Sequence, residues 1–178
     1  HEMILSHSNT ILNLPPHLPG EYPAQKPVSV SFGQFESSNE TRKARRQSQS
    51  RAVRQLLDHA LQHYAFTETV SIGQIEKTSN GKPYLTGVNS PAVSLSHSAN
   101  WVACAISSAK NLGIDIETVK QRDWRRICEY FFHPEESAWI LNSSEEEQNI
   151  RGLICWCRKE ALTKALGIGM AVSPAEIA

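Results

Sequence analysis

The sequence predicts an α+β fold, and three observations carry that expectation. VSVSFGQF, from Val28, alternates apolar and small polar residues with a period of two, as a half-buried strand does. The stretch from Ser37 to Tyr64 sets Val53, Leu56, Leu57, Ala60, Leu61 and Tyr64 on one side of a helix, behind a strongly basic first half. Further strands and then further helices follow, so a helix-plus-strands unit begins twice, without a close sequence repeat.

Taken in order, residues 13–27 hold five of the nine prolines and cannot be a helix interior, so 1–27 reads as an extended arm. Val28, Val30 and Phe32 supply the buried face of the first strand. The basic helix has Ser37, Ser38 and Asn39 as candidate N-caps. TVSIGQIEKT reads as a strand, and the Asn80-Gly81 pair marks a turn. PAVSLSHS and WVACAISS read as two strands joined at Ala99-Asn100. LGIDIE, Leu112 to Glu117, then reads as a strand carrying two acids. Asp123 to Leu141 is helical with a turn at HPEE, and a long helix starts at Ser143 or Ser144 and stops at Gly167. The expected division is an arm at 1–27, an N-terminal lobe at 28–110 and a C-terminal lobe at 111–178.

Composition narrows the function. Lys plus Arg and Asp plus Glu are balanced at 18 each, so any anion site is local and the chain as a whole is no trap for nucleic acid. Cys104, Cys128, Cys155 and Cys157 lack zinc spacing and read as buried thiols of a reducing compartment. There is no secretory leader pattern and no run near the ~20 apolar residues of a membrane span, so a cytoplasmic monomer without a nucleic-acid or membrane partner is expected.

Asp115 and Glu117, two apart on a strand, share a face, whereas Leu112, Ile114 and Ile116 point the other way. Two ionised carboxylates so close need a cation or donors, and Mg²⁺, an oxygen-seeking ion, fits. Alone, the pair is explained slightly better by a strand emerging at the surface with two solvated acids. In WCRKEALTKALG, Trp156, Glu160, Lys164 and Gly167 lie along one side of a helix, with Leu153, Cys157, Ala161 and Ala165 on a more apolar one. Glu160 with Lys164 also reads as an ordinary surface pair worth ~0.3–0.5 kcal/mol. Lys82, Ser96, His97 and Ser98 put an ammonium, hydroxyls and an imidazole at turn and strand ends, which suits phosphate oxygens. Arg42, Lys43, Arg45, Arg46, Arg51 and Arg54 form either a solvated helix face or an anion funnel.

GKPYL, VSLSHS, LGIDIE and WCRKEALTK, in this order, together with FFHPEE, resemble the 4′-phosphopantetheinyl transferase family in its two-lobed, surfactin-type branch. The resemblance implies two similar α/β lobes related by a pseudo-twofold axis, with the second lobe incomplete in this chain. It implies transfer of the 4′-phosphopantetheine arm of coenzyme A to a serine of an acyl or peptidyl carrier protein, from fatty acid, polyketide or nonribosomal peptide synthesis. Adenosine 3′,5′-bisphosphate is released. By the same resemblance Asp115, Glu117 and Glu160 hold Mg²⁺, or alternatively Mn²⁺, on the pyrophosphate. Glu160 is the general base, and Lys159 and Lys164 lie near the phosphates, with Lys164 stabilising developing charge. Lys82, Ser96 and His97 contact the nucleotide, His97 at the 3′-phosphate, and Arg42 and Arg54 add phosphate contacts. Two other readings use the same residues. A nucleotide phosphotransferase or hydrolase lacks its P-loop here, and a nucleic-acid module on the basic helix leaves the three acids without a purpose.

Overall fold

The computed structural model describes the backbone of residues 4–9 and the residues 28–36, 41–64 and 73–168. The α+β class holds. Strands β1 (Ile4–Asn9), β2 (Val28–Gln34), β5 (Ala92–Ser98) and β6 (Trp101–Ser107) form an antiparallel sheet in the order β1-β2-β6-β5, and β3 (Ile75–Lys77) pairs with β4 (Pro83–Leu85). The proline-rich part of the expected arm lies outside the described residues. Ile4–Asn9 is a strand of the main sheet, so residues 1–27 are not a separate arm throughout.

Helix α1 (Arg42–His63) covers one sheet face. Ala52, Val53, Leu56, Leu57 and Ala60 are buried there against Val93, Val102, Cys104 and Ile106. Its N-cap is Thr41, whose hydroxyl accepts the Ala44 N–H at 3.3 Å, instead of the expected Ser37, Ser38 or Asn39, which lie outside the described residues. The expected buried face of β2 is also the wrong one. Ser31 and Gly33 are buried, whereas Val28, Val30 and Phe32 are half-buried. Ser31 pairs with Cys104 and Gly33 with Val102, both in the core beneath α1. Small side chains let the helix approach there, and burial decides the face more strongly than hydrophobic alternation.

A two-residue turn at Ala99-Asn100 joins β5 to β6 as expected. Ala99 takes a φ of 52°, and buried Gln49 of α1 donates to its carbonyl at 2.8 Å.

After β6 the chain crosses as an extended segment, 111–123, into α2 (Trp124–Phe131), α3 (Pro134–Leu141) and α4 (Glu145–Leu166). These enclose a second core of Trp124, Cys128, Phe132, Ile140, Leu153 and Cys155. The helix break at HPEE, the Ser144 cap and the stop at Gly167, with φ 68°, follow the sequence reading. The buried residues of α4 are Asn149, Gly152, Leu153, Cys155, Lys159 and Thr163, so of the expected apolar side Leu153 is buried, whereas Cys157, Ala161 and Ala165 are only half-buried. Gly152 lies under the Trp124 ring, where a Cβ would come within 2.3 Å of a ring atom. None of the described helices is long and apolar enough to cross a membrane.

Candidate active site

The expected acidic strand is not a strand. Leu112–Glu117 has no ladder of backbone bonds to the described residues; it is attached to β5 through side chains. Ser94, Ser96 and Ser98 alternate with Val93 and Leu95 of the core, and therefore face away from α1. Their hydroxyls accept the N–H groups of Ile114 at 3.0 Å, Ile116 at 3.3 Å and Thr118 at 3.3 Å. Two of them also donate: Ser96 to Asp115 Oδ1 at 2.8 Å and Ser98 to Glu117 Oε2 at 2.9 Å. Each of these serines thus fixes one backbone amide and one acid.

On its other side the segment rests on α4. Gly113 permits the approach, because a Cβ there would lie 1.8 Å from the Ala161 carbonyl oxygen. The contact brings Lys164 over the acids. Its ammonium donates to Asp115 Oδ1 at 2.7 Å, to Ser96 Oγ at 3.0 Å and to the Ile114 carbonyl at 3.0 Å, using all three donors. Glu160, four residues earlier, is half-buried beside them. Burial first, then repulsion from Asp115, holds its carboxyl above the usual range against the pull of Lys164, and Glu117 adds to the rise. The half-buried Cys157 thiol lies against Asp115, and burial with that neighbouring charge pushes it up to about 12, so it stays neutral.

Among the described residues, buried Asp115 Oδ2 has no nitrogen or oxygen hydrogen-bond partner, and the Cys157 thiol is its neighbour. A carboxylate oxygen so placed, next to two more carboxylates, fits a hard divalent cation in its donor chemistry. Among the described residues no three His, Cys, Asp or Glu side chains are gathered closely enough to share one ion. The three acids are neighbours, with Lys164 and Ser96 on Asp115 and Ser98 on Glu117, and do not form a closed cage.

The other expected residues separate into two groups. His97 and Arg54 line one cavity of about 200 Å³ with Ser50, Lys77 and Gly81. Arg42 lines a more open depression along α1 with Lys43, Arg46 and Gln47, and Ser50 borders both. The His97 imidazole is held below its usual range, first by desolvation and then by the Lys164 charge. Lys82 reaches the α4 C-terminus and donates to the Ala165 carbonyl, while Asn80 donates to the Gly167 carbonyl at 3.2 Å. Cations and donors are favoured at that end of a helix. Lys159 is buried on another side of α4, 2.8 Å from Glu136 Oε2 and over the Phe132 ring.

Sequence reasoning missed Arg122 and Asn149, and it read Cys157 as a buried thiol where the structure has it half-buried beside Asp115. Arg122 bonds Glu117 Oε2 at 3.3 Å. Buried Asn149 accepts from the Trp124 indole at 2.8 Å. A polar residue on the buried stripe of α4 was the available signal for Asn149.

Residues 111–178 match the family model described as the 4′-phosphopantetheinyl transferase superfamily. This stretch belongs to that superfamily. Among curated proteins, the chain is 41% identical over 76 residues to the 4′-phosphopantetheinyl transferase gsp of Aneurinibacillus migulanus, covering 43% of this chain and 31% of that protein. It is 38% identical over 95 residues to psf-1 of Bacillus pumilus, covering 53% of this chain and 40% of that protein. It is 33% identical over 92 residues to Sfp of Bacillus subtilis strain 168, covering 52% and 40%. The chain therefore spans less than half the length of these relatives. The superfamily match begins where the acidic segment begins and contains Asp115, Glu117, Glu160 and Lys164.

Proposed function

We propose that the protein transfers the 4′-phosphopantetheine arm of coenzyme A to a serine hydroxyl of an acyl or peptidyl carrier protein, releasing adenosine 3′,5′-bisphosphate. The observation that carries this reading is the acid cluster itself: a buried Asp115 oxygen without a nitrogen or oxygen partner among the described residues, beside Glu117 and Glu160, with the Lys164 ammonium among them. Asp115, Glu117 and Glu160 are the residues that would hold Mg²⁺, or Mn²⁺ in its place. When bound, such an ion screens the pyrophosphate and stabilises charge on the leaving group.

The chain's own groups do the rest. Glu160 has a proton affinity raised above that of an ordinary carboxylate, the direction that suits a general base, and it takes the proton from the carrier serine. Lys164, tethered to Ser96 and the Ile114 carbonyl, keeps a fixed positive charge beside Asp115. Arg54, Lys77 and His97 converge on one cavity and receive the 3′-phosphate, with Arg42 extending the basic surface outward. The carriers are those of fatty acid, polyketide or nonribosomal peptide synthesis, and mass spectrometry separates them. Incubation of the full-length protein with coenzyme A, Mg²⁺ and a panel of apo carriers should add the phosphopantetheine mass to at least one. No added mass on any carrier would sink the reading.

A further inference from the structure

We propose that Arg122 is a positioning residue for Glu117, fixing one carboxylate oxygen so that the other is the one offered to the cation. This rests on the metal-dependent transfer proposed above. Glu117 Oε2 accepts from Ser98 Oγ at 2.9 Å and from Arg122 Nη2 at 3.3 Å, leaving Oε1 free of both donors. The two donors approach from different elements, β5 and the segment entering α2, so the carboxylate is held from both sides.

Arg122 is itself held. Its guanidinium carbon lies 5.8 Å from the Trp124 ring centroid and 5.6 Å from that of Trp156, so two indoles pack on one planar cation. Its backbone N–H reaches Asn149 Oδ1 at 3.4 Å, the same oxygen that takes the Trp124 indole at 2.8 Å. Trp124 is only 3% exposed and lies over Gly152. The position of Glu117 is thus referred back to the second core through a rigid stack. Lysine would lack the planar surface for this, and an arginine in open solvent would lack the stack.

The test is Mn²⁺ affinity of the full-length protein without coenzyme A, measured by electron paramagnetic resonance in Arg122→Met, Glu117→Gln and the double variant. Methionine keeps apolar packing between the indoles, and the tryptophan emission maximum reports whether it does. Arg122→Met should weaken Mn²⁺ binding about tenfold, the loss usual when a partner of a metal ligand is removed. In the Glu117→Gln background the same change should have no further effect, because Arg122 acts through that carboxylate. Ser98→Ala, which removes the other donor, should weaken binding in the same Glu117-dependent way. Unchanged affinity in Arg122→Met, or an equal loss in both backgrounds, overturns the proposal and leaves the transferase reading standing. Absence of Mn²⁺ binding in the unmodified protein, both without and with coenzyme A, overturns both.

Discussion

Lys159 and Lys164 sit five residues apart on α4, and each ammonium lies within 2.8 Å of a carboxylate, yet the two pairs differ in what surrounds the acid. Around Glu136 the bonding is economical: one oxygen takes Lys159 and also the His133 N–H at 2.9 Å, which caps α3, and Phe132 packs over the ammonium. Around Asp115 it is unbalanced. Oδ1 takes Lys164 and Ser96, Oδ2 takes no nitrogen or oxygen donor among the described residues, and Glu160, raised first by burial, is raised further by the Asp115 charge. The first arrangement closes a core; the second keeps unused binding capacity, which is how a site differs from a structural ion pair.

The comparison can be broken at several points. The largest effect expected is from Glu160→Gln, which should reduce carrier modification by about 10²–10⁴-fold in a single-turnover assay. The same variant should be more stable than the parent at neutral pH without metal. A carboxyl with a raised folded value favours folding through its protonated form below 4.5, and that contribution is lost as pH rises through the folded value. Adding Mg²⁺ should raise the melting temperature of the parent more than that of the variant. Equal shifts would separate Glu160 from the metal.

Next comes Glu136→Gln, which strands a buried ammonium and should lower the unfolding free energy by roughly 3 kcal/mol in urea denaturation. Mg²⁺ should not restore that loss. Gly113→Ala should be comparable in stability, at about 2–4 kcal/mol, because the Ala161 backbone cannot yield easily. It should in addition weaken metal binding, and a normal Mn²⁺ affinity would show that the acids do not depend on contact with α4.

The smallest effect is at His97, which lines its cavity while staying partly open to solvent. Its folded value lies below 6.5, so its contribution to stability is complete above 6.5 and declines as pH falls through the unfolded value toward the folded one. His97→Gln should flatten that part of the stability profile. Coenzyme A affinity should fall while dephospho-coenzyme A affinity is kept, and equal losses for both ligands would remove His97 from the 3′-phosphate.

Much of this was legible in residue patterns, and what was not has definite causes. Helix α4 could be placed at both ends because Ser144 and Gly167 carry strong local signals. The alternation in β2 was read correctly as a strand and wrongly as to its face, since the closeness of α1 to Ser31 and Gly33 is a tertiary fact. Asp115, Glu117, Glu160 and Lys164 were singled out as types and by spacing, yet only the fold shows that Lys164 turns to Asp115, 49 residues away. Lys82 has the chemistry of a phosphate ligand and serves a helix terminus here, a choice no local pattern encodes.

The attachment of the acidic segment to β5 has a consequence for how such a site can change. A segment in a backbone ladder is held by groups common to every residue, so substitution alters its side chains but hardly its grip. Here the grip is Ser94, Ser96 and Ser98, hydroxyls that a single codon change can delete or replace with threonine. Each hydroxyl governs the exchange protection of one amide, at Ile114, Ile116 or Thr118, and two of them also govern the aim of an acid. The tightness of the site and the orientation of its acids can therefore be adjusted one residue at a time while the sheet beneath keeps its pairing.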